Sequence, residues 1–284
     1  MRALDDDELE PGAELGGWRL VRRLGAGGMA TVWAAEHDGR SAALKIPRVR
    51  FATDGELRAM LLDEVRMARC VSHENVCRVF DMVQRPRLAI VMELLDGSTL
   101  AQRLEAGGAL PLPDAVRLAV AVARGLHAAH EALDERGRRL ELVHRDVSPS
   151  NVMLTSTGPK LIDFGIARAR DRAVETSAGT LKGKLAYLAP EQVTRQPVSV
   201  RTDVYALGIV LWEMLTGRRY FDARNEVEVL LMARSPRPRP PSVHTLDLMP
   251  ELDSVVLRAL APRPRDRFES AAALADALAA SRGE

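Results

Sequence analysis

Two short segments near the middle of the chain carry polar side chains that suit a cation and a reacting hydroxyl. The first is His144-Arg145-Asp146 with Asn151 following, and the second is Asp163-Phe164-Gly165. Mg²⁺ takes oxygen ligands and is typically held by one or two protein groups together with substrate phosphates. Asn151 and Asp163 are therefore candidate metal ligands, and Asp146 remains to orient a hydroxyl. Any one of these residues could be a solvated turn residue, but that explanation fits all of them together poorly.

A glycine cluster, Gly25-Ala26-Gly27-Gly28, lies between two predicted strands. Rossmann and Walker A loops both run from a strand into a helix, so neither fits this context. A glycine-rich hairpin can still bring main-chain N–H groups close to phosphates, because glycine has no Cβ in the way. Taken alone, the cluster fits a phosphate loop and a structural turn equally well.

The elements that must position these groups change in character along the chain. The first 95 residues favour an antiparallel meander, one helix and two further strands, and the remainder is mostly helical. The predicted strands are Trp18–Leu24, Thr31–Glu36, Ser41–Ile46, Val76–Val83 and Leu88–Leu94, with a turn at Asp38-Gly39. The predicted helices are Glu56–Cys70, Ala115–Ala132, Val204–Thr216, Glu226–Ala233, Leu252–Leu260 and Ser270–Ala280, with an extended Pro-rich connector at Ser235–Pro241.

Composition limits the classes of protein and partner. The 284 residues include 40 basic and 39 acidic side chains, so no global charge attracts nucleic acid or anionic lipid. The longest strongly apolar stretch, Val204–Trp212, is far shorter than the roughly 20 residues of a membrane helix. The acidic N-terminus, with Asp5, Asp6 and Asp7, is unlike a secretory signal. We expect a cytoplasmic protein with no nucleic-acid or membrane partner.

With these segments in place, the sequence resembles the eukaryotic-like (Hanks-type) serine/threonine protein kinases, and most of all their bacterial branch. The resemblance covers about residues 18–280. Its motifs occur in the family's order: the glycine loop, Ala43-Leu44-Lys45, His144-Arg145-Asp146 with Asn151, Asp163-Phe164-Gly165 and Ala189-Pro190-Glu191. It implies an α+β, bilobal protein kinase fold: an acidic extension at 1–17, a small β-rich N-lobe with one helix at 18–95, and a larger, mainly helical C-lobe at 96–284.

The resemblance also implies a nucleotide site. Lys45 would grip the ATP phosphates and pair with Glu64; Asp63 and Glu56 are competing acids, but Asp63 points about 100° away on the helix. The other residues implied at the nucleotide are Gly25, Gly27, Gly28, Val32, Ala43, Met92 at the back, Glu93 and Leu95 at the hinge, Met153 as the floor, and Asp163.

The implied reaction is transfer of the γ-phosphate of Mg-ATP, or of Mn-ATP, to a serine or threonine of a protein substrate. Asp146 would aim the hydroxyl, with Lys45 and Asn151 supporting transfer. The chain itself would be one substrate through self-association, with a phosphate on Thr176, Ser177 or Thr180 binding Arg145. Glu191 would pair with Arg267, and Asp203 would brace the catalytic loop.

Three positions depart from the family, and one of them, Ala30 at the third glycine of the loop, is a mild change in side-chain size with less effect expected. The other two bear on catalysis. Ser148 stands where lysine is usual two residues after Asp146, and Lys184 stands where threonine is usual after Gly183. We hypothesise an exchange in which Lys184 supplies the catalytic charge and Ser148 the hydroxyl. The alternative is a solvated Lys184 in an impaired enzyme. A pseudokinase that signals by docking and a small-molecule phosphotransferase are the rival functions.

Overall fold

The structure is a computed structural model and describes residues 9–28, 30–49, 55–164, 185–245 and 248–281. The described residues form two parts, a six-stranded sheet with the helix Gly55–Arg69 and a larger, mainly helical part, as the resemblance implied.

The first part is an antiparallel sheet in the order β1-β2-β3-β4-β6-β5. Its strands are β1 (Glu14–Leu15), β2 (Trp18–Ala26), β3 (Ala30–His37), β4 (Arg40–Pro47), β5 (Val79–Val83) and β6 (Ala89–Met92), and its helix is α1 (Gly55–Arg69). Strand β1 was not predicted, because two residues are too few to show alternation. It belongs to the sheet because Leu15 is fully buried in the same core.

The pleat of this sheet separates a core face from a cleft face. Trp33, Leu44 and Val91 point into the core of the small lobe. Since side chains alternate along a strand, the intervening residues line the opposite face. The register places Val32 opposite Lys45, and Ala43 opposite Met92, on that second face.

The second part is built around α5 (Val200–Thr216), whose residues from Thr202 to Leu215 are all buried. The other helices described are α2 (Leu100–Gly107), α3 (Leu112–His130), α4 (Pro190–Val193), α6 (Glu226–Arg234), α7 (Pro250–Ala259) and α8 (Ala271–Ala280). A helix that is apolar on every side is typical of a domain centre. None of the helices in the described ranges is long and apolar enough to span a membrane.

A three-stranded sheet lies where the two parts meet. It consists of β7 (Gly97–Thr99), β8 (Val152–Thr155) and β9 (Gly158–Leu161) in that order. The segment before β5 joins it to the first sheet, because Leu161 N donates to Asn75 O at 2.8 Å and Cys77 N donates to Leu161 O at 2.8 Å.

Several predicted boundaries were wrong. The strand expected at Val76–Val83 begins at Val79, because Val76 forms an isolated bridge to Leu161 instead. Helix α2 was not predicted; a Thr99–Gln102 capping box begins it. Helix α3 begins earlier than expected, at Leu112. The connector after α6 has no regular structure until the short 3₁₀ helix Pro241–Val243.

Candidate functional site

The catalytic loop, residues 144–151, is held by one buried carboxylate from α5. Asp203 accepts hydrogen bonds from the main-chain N–H groups of His144 and Arg145, each at 2.8 Å. It also lies 2.8 Å from Nε2 of His130 at the end of α3. Arg145 has a left-handed φ of 64°, a conformation that costs free energy in a residue other than glycine and that these contacts maintain. The bracing role expected of Asp203 is therefore present, and His130 adds to it.

The same loop is connected directly to the segment that carries Asp163. Nδ2 of Asn151 donates to the carbonyl oxygen of Asp146 at 2.8 Å and to its Oδ2 at 2.7 Å. The carbonyl of Asn151 accepts from Ile162 N at 3.0 Å. His144 completes the connection, since its Nε2 donates to Ile162 O at 3.1 Å and its Nδ1 accepts from Asp146 N at 3.3 Å. Asp146, Asn151 and Asp163 consequently belong to one hydrogen-bonded unit.

Lys45 reaches this unit from the opposite lobe. Its Nζ lies 2.7 Å from Oδ1 of Asp163, with the two side chains only 12% and 21% exposed. Asp163 has a φ of 66°, a conformation that costs free energy in a residue other than glycine. Partial burial reduces solvent screening, so the attraction between these charges is stronger than at an open surface.

The resemblance led us to expect Lys45 to pair with Glu64. Among the described residues, Lys45 forms an ion pair with Asp163. Its pairing with Glu64 stays a prediction. Glu64 lies in α1 and is buried, at 3% exposure. Asp163 is reached by Lys45 because β4 and the segment after β9 approach each other across the cleft.

Five of the residues expected at the nucleotide share the cleft face of the sheet. Gly25, Val32 and Lys45 lie in a row across β2, β3 and β4, and Ala43 and Met92 form the neighbouring pair. Residues directly opposite each other in antiparallel strands present their side chains on the same face.

Packing does not explain the glycines at positions 25 and 27 of the loop. A Cβ added to Gly25 would meet nothing within 4 Å, and one added to Gly27 would meet only the Ala30 carbonyl, at 3.7 Å. The space where a side chain would project is therefore open at both positions, which suits close approach by a phosphate chain. The main chain of Gly27 is itself bonded within the protein, since its N–H donates to Ala30 O at 2.8 Å and its carbonyl accepts from Arg48 Nε at 3.2 Å. Gly28 follows directly and ends the described part of the loop. The carboxylate of Asp163 and the amide of Asn151 supply the oxygens that a divalent cation requires, so these residues fit a metal-bound nucleotide.

The hinge between the lobes follows β6. Glu93 and Leu95 are half-buried and lie in the segment that connects β6 to β7. Met153 in β8 lies opposite Lys160 in β9, and the Lys160 ammonium lies 3.0 Å from Oε1 of Glu93. Lys160 thus links Glu93 to the strand opposite Met153, a contact that the sequence did not indicate.

Cys77 lies near the two ion pairs of the cleft and is 8% exposed. Burial is the main reason that the pKa of its thiol rises to about 12, and the carboxylates of Glu93 and Asp163 raise it further.

A buried ion pair connects Glu191 to Arg267, as expected. Arg267 Nη1 donates to Glu191 Oε1 at 2.7 Å and Nη2 donates to Oε2 at 2.9 Å. The remaining Arg267 donors bond the carbonyls of Ala261, Arg201 and Pro262. All five N–H groups of this guanidinium are therefore satisfied.

A second buried network was missed. Glu213 in α5 accepts from Tyr187 Oη at 2.7 Å and from Tyr220 N at 3.1 Å, and Arg219 lies 3.6 Å away. Burial raises the pKa of Glu213 and also that of Tyr187. The available signal was an acidic residue directly after the strongly apolar stretch Val204–Trp212.

Some predicted residues lie outside the described residues: Lys184, Thr176, Ser177 and Thr180. Ser148 is described and fully buried, and its Oγ lies 3.0 Å from that of Ser150.

Comparison with known proteins agrees with this geometry. The sequence matches the protein kinase domain family over residues 18–278. A tyrosine-protein kinase of Myxococcus xanthus, MasK, is 39% identical over 274 residues, which are 93% of this chain and 42% of MasK. The serine/threonine-protein kinase Pkn1 of Myxococcus xanthus is 37% identical over 276 residues, 94% of this chain and 38% of Pkn1.

A mycobacterial serine/threonine-protein kinase, PknA of Mycobacterium tuberculosis, is 35% identical over 94% of this chain and 62% of PknA. This chain thus spans about two fifths of the length of the first two relatives. Among solved structures, the Mycobacterium tuberculosis PknI kinase domain superposes with a TM-score of 0.74 at 32% identity, covering 96% of this chain and 99% of that one. Sequence and fold agree over nearly the whole length, and the chain belongs to the protein kinase domain family.

Proposed function

We propose that this chain transfers the γ-phosphate of Mg-ATP to serine or threonine hydroxyls of a protein substrate. The single observation that carries the proposal is the continuous connection from Asp146 through Asn151 and Ile162 to Asp163 and Lys45. It gathers an acceptor-orienting carboxylate, an oxygen-donor pair and a cation around one cleft. Members of this family use ATP and a divalent metal; Mg²⁺ is proposed over Mn²⁺ because one carboxylate and one amide beside phosphates form its usual environment.

In the proposed reaction, Asp146 orients the acceptor hydroxyl and accepts its proton. The hydroxyl oxygen forms a bond to the γ-phosphorus while the bond to the bridging oxygen breaks, and that oxygen leaves with its electron pair on ADP. The ammonium of Lys45 offsets negative charge on the phosphate chain. A divalent cation held by Asn151 and Asp163 would add positive charge at the same place. Because this transition state is loose, positioning and charge compensation are the chain's main contributions.

The acceptor residue can be tested directly. The purified chain is incubated with Mg²⁺ and γ-labelled ATP, with and without a generic protein acceptor, and the labelled amino acid is identified. We expect phosphoserine or phosphothreonine, abolished in Asp146→Asn. Label on tyrosine alone would overturn the serine/threonine assignment and agree with the name of MasK. Nucleotide binding without phosphate transfer would favour a pseudokinase. Transfer to a small molecule but not to protein would favour a small-molecule phosphotransferase. Replacing Mg²⁺ with Mn²⁺ tests the choice of metal.

Activation by phosphorylation is proposed for the segment after Asp163. The support is the position of Arg145, whose carbonyl accepts from Gln192 Nε2 at 3.0 Å and whose N–H is held by Asp203. A phosphate on Thr176, Ser177 or Thr180 would form charge-assisted hydrogen bonds with the Arg145 guanidinium. Phosphatase treatment that removes these phosphates, verified by mass spectrometry, should lower activity; unchanged activity would contradict the proposal. Label incorporation that rises faster than chain concentration would support phosphorylation between two copies.

The exchange of Ser148 and Lys184 remains a proposal. We expect Lys184→Ala to lower turnover, and the double change Ser148→Lys with Lys184→Thr to retain more activity than Lys184→Thr alone. Full activity in Lys184→Ala would contradict the exchange, as would a dead double variant whose single variants are both active.

A further inference from the structure

An ion pair joins the two lobes beside the hinge. Lys160 Nζ lies 3.0 Å from Oε1 and 3.1 Å from Oε2 of Glu93. The side chains are 13% and 29% exposed. One ammonium therefore contacts both oxygens of a carboxylate, where solvent screens the charges less than at an open surface.

Glu93 is held from the N-lobe as well. Arg78 N donates to its Oε2 at 3.2 Å, and Glu93 N donates to the Arg78 carbonyl at 2.8 Å. The Cys77 thiol donates to the Glu93 carbonyl at 3.8 Å, a weak bond of the sort sulfur makes. The Arg78 contacts keep Glu93 in line with the N-lobe sheet, and Lys160 connects it to the C-lobe.

Lys160 also relates the hinge to the floor of the cleft. It lies directly opposite Met153 in the β8–β9 ladder, so both side chains project from the same face of that sheet. The ion pair therefore connects the side chain of Glu93 to the strand that lies opposite Met153.

The choice of lysine is informative in a chain that has four lysines and thirty-six arginines. An ammonium is compact and sits at the end of a flexible stem, whereas a guanidinium is broad and planar. A single nitrogen can therefore lie between both oxygens of Glu93 beneath the hinge.

We infer that Lys160 and Glu93 are positioning residues for the purine base. Their ion pair holds the main-chain carbonyl of Glu93 where it accepts from the amino group of adenine, which discriminates against guanine, a base with a carbonyl there. The inference rests on the proposed function only in taking ATP as the ligand of this cleft.

The test measures binding without phosphoryl transfer. ATP and GTP each displace a fluorescent ATP analogue from the Mg²⁺-loaded chain, from Lys160→Met, from Glu93→Gln and from the double variant. We expect each single change to raise the Kd for ATP by about three- to tenfold, the scale of one partly buried ion pair, and to reduce the preference for ATP over GTP. The Kd of the double variant for ATP should not exceed the larger Kd of the two single variants, because both changes remove the same interaction.

Two variants serve as controls. Lys160→Arg keeps the charge and should bind ATP more tightly than Lys160→Met. Arg124→Met removes an exposed ion pair with Asp276, with a 2.7 Å contact, and should leave both Kd values unchanged.

An unchanged Kd for ATP in Lys160→Met would overturn the inference, as would additive effects in the double variant. A weaker Kd with an unaltered ATP to GTP ratio would assign the pair a structural role only. A chain that shows the expected binding pattern but transfers no phosphate would refute the proposed function and leave this inference standing.

Discussion

Asn151 holds the Asp146 carboxylate through the same amide nitrogen that bonds the Asp146 main chain, with Nδ2 at 2.7 Å from Oδ2 and 2.8 Å from the carbonyl oxygen. The Oδ2 atom of Asp146 is thereby held by the catalytic loop itself. The orientation of this group is consequently a property of the folded loop, which explains how an aspartate near the surface can be ready to receive a hydroxyl.

Changing Asp146 to asparagine should lower turnover by about 100-fold or more and leave the Kd for ATP within about threefold. The amide cannot accept the hydroxyl proton, whereas the residues expected at the nucleotide are unaltered. Steady-state kinetics and nucleotide titration measure the two quantities. Asp276→Asn, an exposed acid in α8, is the matched control. Equal losses of turnover and of ATP binding would argue against a role in catalysis alone.

Changing Arg267 to methionine should lower the free energy of unfolding by about 3 to 5 kcal/mol, because it leaves the buried Glu191 carboxylate without its cation. Both side chains are almost fully buried, at 0% and 3% exposure. Urea unfolding followed by circular dichroism measures the effect.

The control for this change is Arg124→Met, since the Arg124–Asp276 pair is about half exposed and should contribute less than about 1 kcal/mol. A loss in Arg267→Met no larger than that of the control would mean that the buried pair adds little to stability.

Cys77 should react with iodoacetamide far more slowly than Cys70 in the native chain at pH 8. Only the thiolate is nucleophilic, and a pKa of about 12 leaves on the order of one thiol in ten thousand ionised at this pH. Cys70 is exposed and provides the internal control. Peptide mass spectrometry quantifies the labelling of each cysteine, and comparable native rates would contradict the burial of Cys77. In urea, the two should react alike.

Glu213 should make the native chain less stable as pH rises above the ordinary range of a glutamate. Its pKa is raised by burial, so the native state retains this proton at a pH where the unfolded chain has lost it. The free energy of unfolding contributed by Glu213 therefore falls between its unfolded and its folded pKa.

Glu213→Gln removes this titration. Denaturant unfolding of both chains between pH 4 and pH 7.5 should show the variant gaining stability relative to the native sequence as pH increases. Asp276→Asn should show no such trend. If the native sequence instead became more stable relative to Glu213→Gln as pH rises, the pKa of Glu213 would be lowered in the folded state rather than raised.

Much of the fold could be predicted from residue patterns because they reflect local physics. Alternating apolar residues around Trp33 and Leu44 predicted strands that bury one face. Apolar residues at helical spacing predicted helix α3, although the predicted start was later than the observed start at Leu112. Strand β1 could not be predicted because two residues are too few to show alternation, and Leu15 belongs to the sheet through burial in its core. The start of β5 could not be predicted because Val76 bridges to Leu161, which is distant in the sequence.

For the site, the sequence by itself determined the chemistry: oxygen donors at Asn151 and Asp163, a hydroxyl-orienting acid at Asp146, a cation at Lys45 and the order of motifs that indicates the family. Residue type sets what a group can donate, accept or neutralise wherever it lies. Only the tertiary structure decided which groups meet. Lys45 pairs with Asp163, Lys160 contacts Glu93, and Asp203 bonds both His130 and the catalytic loop. These contacts join residues far apart in the chain, and ion pairs and hydrogen bonds depend on separations of a few ångströms that only packing of the lobes establishes.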